Sequence, residues 1–113
     1  MKLIRDKYID IIPEDKLDTA PKDYETKLNL ILDKIKEEII EFLESGCRDP
    51  KELGDIVEAV IGLGEMHDIS FDTVNHLRKI KLKEFGGFKN FVVLKDAEPN
   101  LKYSLSSKTE EHF

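Results

Sequence analysis

A short break at residues 45–50 separates two amphipathic stretches and determines how they can pack. Gly46 suits the position just past the end of a helix, where the backbone is left-handed. Asp49 suits the N-cap of the next helix, with Pro50 in its first turn and Glu52 at the spacing of a capping box. Because so short a loop joins antiparallel neighbours, the break predicts a helical hairpin.

Helical periodicity puts the apolar side chains of each stretch on one face. The first helix is expected from a cap at Asp23 to about Ser45, and the second over residues 50–67. At about 3.6 residues per turn, the first apolar face consists of Leu28, Ile31, Leu32, Ile35, Ile39, Phe42 and Leu43. The second consists of Leu53, Ile56, Val57, Val60 and Ile61.

A third helix is expected from a cap at Ser70 to about Glu84. Its inward side chains are expected to be Phe71, Val74, Leu77 and Ile80. The fold predicted is therefore all-α, with a helical hairpin and a third helix forming a bundle.

Three acids lie together on each helix of the hairpin, because residues three and four apart share a helical face. The first group is Glu37, Glu38 and Glu41; the second is Glu52, Asp55 and Glu58. A turn centred near residue 48 places Glu41 level with Asp55, and Glu38 level with Glu58. Carboxylates brought this close repel and have raised pKa values unless a cation neutralises them. Oxygen ligands favour a hard ion, Mg²⁺ or Mn²⁺.

A simpler interpretation of the acids stays open. Glutamate is a strong helix former, and in a chain that is 37% charged an acidic cluster is commonly a solvated helix face. Glu52 also has a structural use as a capping partner.

The acids and their flanks resemble a known signature. The order Glu37-Glu38-x-x-Glu41, a short loop, then Glu52-x-x-Asp55 resembles the all-α nucleoside triphosphate pyrophosphohydrolase superfamily, the MazG-like and phosphoribosyl-ATP pyrophosphohydrolase-like proteins. Residues 2–7 and the pair Ile11-Ile12 resemble the start of small single-domain members, and Arg78, Lys81 and residues 84–88 resemble their ending. The resemblance covers about residues 2–94. It implies a pyrophosphohydrolase domain over residues 1–94 and a polar C-terminal extension over residues 95–113.

The resemblance implies metal-dependent hydrolysis of a nucleoside triphosphate, or a related nucleotide, to the monophosphate and pyrophosphate. The residues expected to hold Mg²⁺, with Mn²⁺ as a substitute, are Glu38, Glu41, Glu52 and Asp55. Glu37 and Glu58 would support these ligands from outside, and Glu38 is the candidate general base. The cations expected to bind substrate phosphates are Arg5, Lys7 and Lys81. Relatives assemble as dimers or tetramers, so a homodimer or homotetramer that completes the bundle is expected.

Two alternatives remain from the sequence. One is a phosphoribosyl-ATP pyrophosphohydrolase. The other is a non-catalytic helical interaction module with merely solubilising acids, which stays open because Phe85 stands where relatives have an arginine before Gly86-Gly87.

Composition limits the remaining classes. The net charge of −6 and pI near 5.1 argue against a general nucleic-acid binder. The single cysteine, Cys47, excludes an internal disulfide. No apolar run has the length of a membrane span, and no signal-peptide pattern follows Met1, so a soluble cytoplasmic protein without membrane or nucleic-acid partners is expected.

The segments outside the helices give weaker signals. Residues 1–13 fit a short strand or a helical turn equally well, residues 14–22 are expected to be a loop, and residues 88–94 are expected to form a short strand. Gly62 and Gly64 indicate either a close approach of another helix or ligand, or a frayed helix end. The histidines at 67, 76 and 112 lack metal-binding spacing and are interpreted as structural or surface residues.

Overall fold

Three α-helices carry the fold. The computed structural model describes residues 1–18 and 23–101. Its helices are α1 (Tyr24–Glu44), α2 (Pro50–Glu65) and α3 (Phe71–Phe85), and two single 3₁₀ turns precede them at Asp6–Asp10 and Glu14–Lys16. No strand occurs among these residues. The all-α prediction is confirmed. None of the helices in this part of the chain combines the length and hydropathy of a transmembrane span.

The loop between α1 and α2 forms as its sequence predicts. Gly46 has φ of +77°, its N–H donates to the Leu43 carbonyl at 3.1 Å, and the Cys47 N–H donates to the Phe42 carbonyl at 3.1 Å. These two bonds are the Schellman pattern that ends a helix. Asp49 then caps α2, accepting from the Lys51 N–H at 2.9 Å. The hairpin is therefore defined by local hydrogen bonds at both ends of its loop.

The other two helix starts are capped as predicted. The Asp23 carboxylate accepts from both the N–H and the hydroxyl of Thr26, at 2.9 and 2.7 Å. The Ser70 hydroxyl accepts from the Thr73 N–H at 3.2 Å. Each cap satisfies a backbone donor that the first turn of a helix leaves unpaired.

The core lies between α1 and α2, where Leu28, Ile31 and Ala59 are buried. Gly62 allows the two helices to approach, because a Cβ there would lie 3.3 Å from the Ile31 Cδ1 atom. Gly64 faces the chain after its own helix, where a Cβ would lie 3.0 Å from the Ile69 carbonyl oxygen. The close approach of another helix is confirmed at Gly62, whereas Gly64 lies near the end of α2 and, among the described residues, meets no other helix there.

The third helix corrects the sequence analysis. Phe71, Val74, Leu77 and Ile80 were expected to point inward, yet they are 39% to 58% exposed. The reason is that α3 packs against α2 far less extensively than α1 does, so among the described residues its apolar face stays largely uncovered.

The segments before α1 and after α3 were also compared with what the sequence predicts: residues 88–94 do not form the expected strand, and the conformation near residues 6–10 is now known. Residues 88–94 form a turn and irregular chain, with Phe88 and Val92 about nine-tenths exposed. A strand there has no neighbouring strand to pair with among the described residues, and an unpaired strand is not stable. Residues 6–10 form a 3₁₀ turn, which decides between the two conformations left open. Parts of the expected loop and C-terminal extension, including His112, lie outside the described residues.

We expect opposite effects from one substitution at two glycines. Gly46→Ala places a Cβ in a left-handed conformation and should lower the free energy of unfolding by about 1 kcal/mol. Gly54→Ala lies within α2 with nothing within 4 Å of the new Cβ, and should raise the free energy of unfolding by about 0.5–1 kcal/mol. Urea denaturation measures both, and equal effects of the two variants would contradict the assigned loop.

Candidate metal centre

Glu38 is the buried charged side chain of the described chain, with only 6% of its surface exposed. It lies on α1 two turns after Ile31, on the face that packs against α2. Its Oε1 atom is 3.1 Å from the Lys34 Nζ atom, whereas its Oε2 atom is buried without a hydrogen-bond partner. A buried carboxylate is costly unless it is neutralised and hydrogen-bonded. One half of this carboxylate therefore lacks the compensation that its burial requires.

Two groups of acids meet at Glu38. Carboxylate oxygens of Glu38, Glu52 and Asp55 all lie within 4.8 Å of one another, and so do those of Glu37, Glu38 and Glu41. The four residues expected to hold metal are thus brought together from both helices of the hairpin.

The acids that face each other across α1 and α2 are not all the ones predicted from the sequence. That geometry placed Glu38 opposite Glu58, but Glu38 meets Glu52 and Asp55 instead. Glu58 is exposed and contributes to neither group, although it lines a cavity with Glu38 and Asp55.

Glu52 does not serve as the capping partner that its spacing suggested. The cap at Asp49 pairs with the Lys51 N–H, and the Oε2 atom of Glu52 is buried without a partner. Two unpartnered buried oxygens, one from each helix, therefore belong to the same acidic group.

Three cations pair with these acids in the structure. The Arg5 Nη2 atom is 2.8 Å from the Asp55 Oδ1 atom, and the Lys2 Nζ atom is 2.8 Å from the Glu37 Oε1 atom. Lys34 contacts Glu38 and lies 3.4 Å from the same Glu37 oxygen. Lys2 and Lys34 were not predicted to be parts of the site. The spacing of Lys34, one helical turn before Glu37 and Glu38, was a usable signal.

The pKa is lowered for the acid that forms an ion pair with Lys2 and raised for two acids that have no ion pair among the described residues. The ion pair with Lys2 lowers the pKa of Glu37. The pKa of Glu41 is raised, first by the close approach of the Glu38 carboxylate and then by burial and neighbouring negative charge. The pKa of Glu52 is raised by burial and by the charges of Asp55, Asp49 and Glu38. Neighbouring negative charge contributes to both raised pKa values, in the direction expected from the sequence.

The cations proposed for phosphate binding do not all reach the acids. Arg5 and Lys7 line a cavity of about 540 Å³ together with Glu38 and Asp55. Lys81 lies on α3 with an exposed side chain and is absent from the lining of that cavity within the described chain.

His67 and His76, the two histidines among the described residues, take no part in the acidic groups. His67 joins α1 to the end of α2: its Nδ1 atom is 2.7 Å from the Leu63 carbonyl and its Nε2 atom is 2.8 Å from the Tyr24 hydroxyl. The carbonyl can only accept, so Nδ1 donates this bond, and Nε2 bonds to the Tyr24 hydroxyl. The predicted structural role is confirmed for His67, and His76 is exposed.

Comparisons with known proteins give no relative. No protein-family model matches the chain, and searches of curated proteins and of solved structures each find no match. Membership of the pyrophosphohydrolase superfamily therefore stays a prediction that rests on the motifs themselves.

The residues present fit a hard divalent cation. All the donors are carboxylate oxygens, the type that Mg²⁺ and Mn²⁺ prefer. Ligands on opposite sides of Mg²⁺ are about 4.2 Å apart, given bonds of about 2.1 Å, so oxygens already within 4.8 Å of one another would need to move little. An ion at this point would also supply the partner that Oε2 of Glu38 and Oε2 of Glu52 lack.

We expect Glu52→Gln to stabilise the metal-free protein at neutral pH. The pKa of Glu52 is raised above its ordinary 4.5, so protonation favours the folded state, and this stabilisation disappears as pH rises through the raised pKa. At pH 7 the charged side chain repels its neighbours, and removing its charge should raise the melting temperature by a few degrees.

Thermal melts in EDTA between pH 4 and pH 8 measure this effect. The advantage of Glu52→Gln should shrink toward pH 4, where the wild-type carboxyl gains its proton. Glu98→Gln, at an exposed position outside the helices, is the matched control and should melt like wild type. A Glu52→Gln variant that melts below wild type at pH 7 would contradict the assigned repulsion.

Proposed function

We propose that this chain is a metal-dependent pyrophosphohydrolase, which cleaves a nucleoside triphosphate or related nucleotide to the monophosphate and pyrophosphate. The observation that carries the proposal is the buried Glu38 carboxylate, which has one unpartnered oxygen and belongs to both acidic groups. The order of acids that resembles the superfamily supports the same conclusion independently of the geometry.

The residues proposed to hold Mg²⁺, or Mn²⁺ in its place, are Glu38, Glu41, Glu52 and Asp55. When bound, such an ion neutralises phosphate charge and lowers the pKa of an attacking water. Glu37 and Glu58 flank this set. Of the two Glu38 oxygens, Lys34 holds Oε1, so Oε2 is the one free to bind the ion or to accept a proton from water.

Arg5 is proposed to change partners during binding. Its guanidinium contacts Asp55 in this structure and also lines the cavity beside the acids. A cation that binds Asp55 would release this guanidinium, which is the side chain best suited to grip phosphate oxygens. Lys7 lines the same cavity and would add a second positive charge.

A homodimer or homotetramer is part of the proposal. The apolar face of α3 is 39% to 58% exposed, and Ile40, Leu43 and Leu53 on the hairpin are also about half exposed. Burial of such faces against another copy would remove apolar area from water. A second copy could also bring Lys81 to the acids, which its own chain does not do. Light scattering should give a multiple of the 13.1 kDa chain mass, and a monomer would contradict this part of the proposal.

A helical interaction module is the second candidate, and the exposed α3 face is the observation that favours it. In that case the acids would bind no metal, and the apolar face would bind a different protein. The enzyme is preferred because solubilising acids have no reason to be buried, and Glu38 is.

We expect Mg²⁺-dependent pyrophosphate release from one or more members of a panel of canonical and modified nucleoside triphosphates and phosphoribosyl-ATP. Glu41→Gln should reduce the rate by about 100-fold, because it removes one of the metal-binding carboxylates. Glu44→Gln lies one turn further along α1, is exposed, and should keep the wild-type rate.

The outcomes separate the candidates. Release from phosphoribosyl-ATP alone would assign that substrate. Release that persists without Mg²⁺ or in Glu41→Gln would contradict the assigned centre. No release from any compound, with a folded protein whose melting temperature Mg²⁺ does not raise, would favour the interaction module.

A further inference from the structure

A second cavity, of about 720 Å³, lies beside the first and has a different lining. Its walls are largely aliphatic and include Ile9, Ile12, Leu17, Leu30 and Met66. None of the five acids in the two metal-binding groups lines it. Its volume is in the range of about 300–1,000 Å³ that small-molecule sites occupy.

The two cavities share a wall. Leu3, Ile4, Arg5 and Asp6 of the N-terminal segment line both, and so do Ile31 of α1 and Gly62 of α2. Arg5 therefore borders the aliphatic cavity while its guanidinium contacts Asp55 among the acids. A molecule whose phosphates lie beside Arg5 has the aliphatic cavity next to it.

We propose that the aliphatic cavity binds the base and sugar of the nucleotide whose phosphates lie at the acids. This inference rests on the proposed function for the position of the phosphates. A nucleoside has flat apolar faces and a polar edge, and the cavity offers the matching groups. Aliphatic side chains such as Ile31 and Met66 would cover the faces, and Asp6, Lys16, Asp18 and Lys27 are charged lining groups that can pair with the edge and the hydroxyls.

Gly62 has no side chain at the place where the two cavities adjoin. It lines both cavities, and a Cβ there would already lie 3.3 Å from the Ile31 Cδ1 atom. A side chain at this position would occupy space beside both cavities, where a ligand that reaches from one to the other would have to pass.

The test uses nucleoside monophosphates, whose binding needs neither metal nor catalysis. The ¹⁵N-labelled full chain is titrated with AMP, GMP, CMP and UMP, and separately with inorganic pyrophosphate as a phosphate-only probe. We expect at least one monophosphate to shift the amide signals of Ile12, Leu30 and Met66, while pyrophosphate shifts signals near Arg5 and leaves those of Leu30 and Met66 in place.

Leu30→Phe adds volume to the cavity and should weaken the tightest monophosphate by about tenfold, because small changes in pocket volume have effects of this size. Leu43→Phe makes the same change at an exposed position of the same helix that lines neither cavity, and should bind like wild type. Mn²⁺ affinity, measured by electron paramagnetic resonance, should be equal in both variants and wild type, which shows that the acids are intact.

Three results would overturn the inference: no monophosphate binds at millimolar concentration, the shifts occur away from the cavity, or Leu30→Phe binds as well as Leu43→Phe. The proposed function fails separately. If monophosphates bind in the cavity but no triphosphate is hydrolysed, the nucleoside site stands and the pyrophosphohydrolase does not.

Discussion

The burial of Glu38 between α1 and α2 is the constraint on which the arrangement of charges depends. The helices pack closely because Ile31 meets Gly62, and this packing removes the Glu38 carboxylate from water two turns further along the same face of α1. A buried carboxylate must be compensated by cations and hydrogen bonds. Lys34 compensates one oxygen, and the other stays unpartnered among the carboxylates of neighbouring acids. The hairpin therefore folds around an excess of negative charge.

The N-terminal segment reduces this excess in the structure. Lys2 pairs with Glu37 and Arg5 pairs with Asp55, so the segment contributes one cation to each acidic group. Both pairs are partly exposed and individually weak. A divalent ion and the segment therefore compete for the same carboxylates. Because of this competition, metal binding would release the Arg5 guanidinium from Asp55. The N-terminal segment would then take part in the site as well as covering the helices.

Capping residues and the glycine after α1 were sufficient to predict the helix boundaries, whereas features that depend on tertiary contacts were not predictable in this way. Asp23, Asp49 and Ser70 each form a side-chain bond within three residues, and the end of α1 is set by Gly46, so sequence was sufficient for these boundaries. The approach of the α1 acids to the α2 acids was also predicted from helical spacing and the short loop, but the predicted level was wrong, because Glu38 meets Glu52 and Asp55 rather than Glu58.

The errors have a common physical origin. The inward positions of α3 and the strand at residues 88–94 both required a partner surface, and sequence periodicity shows an apolar face without showing what covers it. The burial of Glu38 was not predicted either, because acids at the border of an apolar face are equally compatible with a solvated edge. The ion pairs of Lys2 and Arg5 depend on where the N-terminal segment crosses the hairpin, which no local pattern specifies.

The affinity of the metal-free protein for Mn²⁺, titrated by electron paramagnetic resonance, tests most directly whether the acids at Glu38 form a metal centre. Wild type should bind Mn²⁺, Glu38→Gln should bind at least about tenfold more weakly because it replaces the carboxylate common to both groups, and Arg5→Gln should bind more tightly because Asp55 loses its competing cation. If wild type binds no Mn²⁺, or if Glu38→Gln binds it as well as wild type, the acids are not a metal centre and the account is wrong.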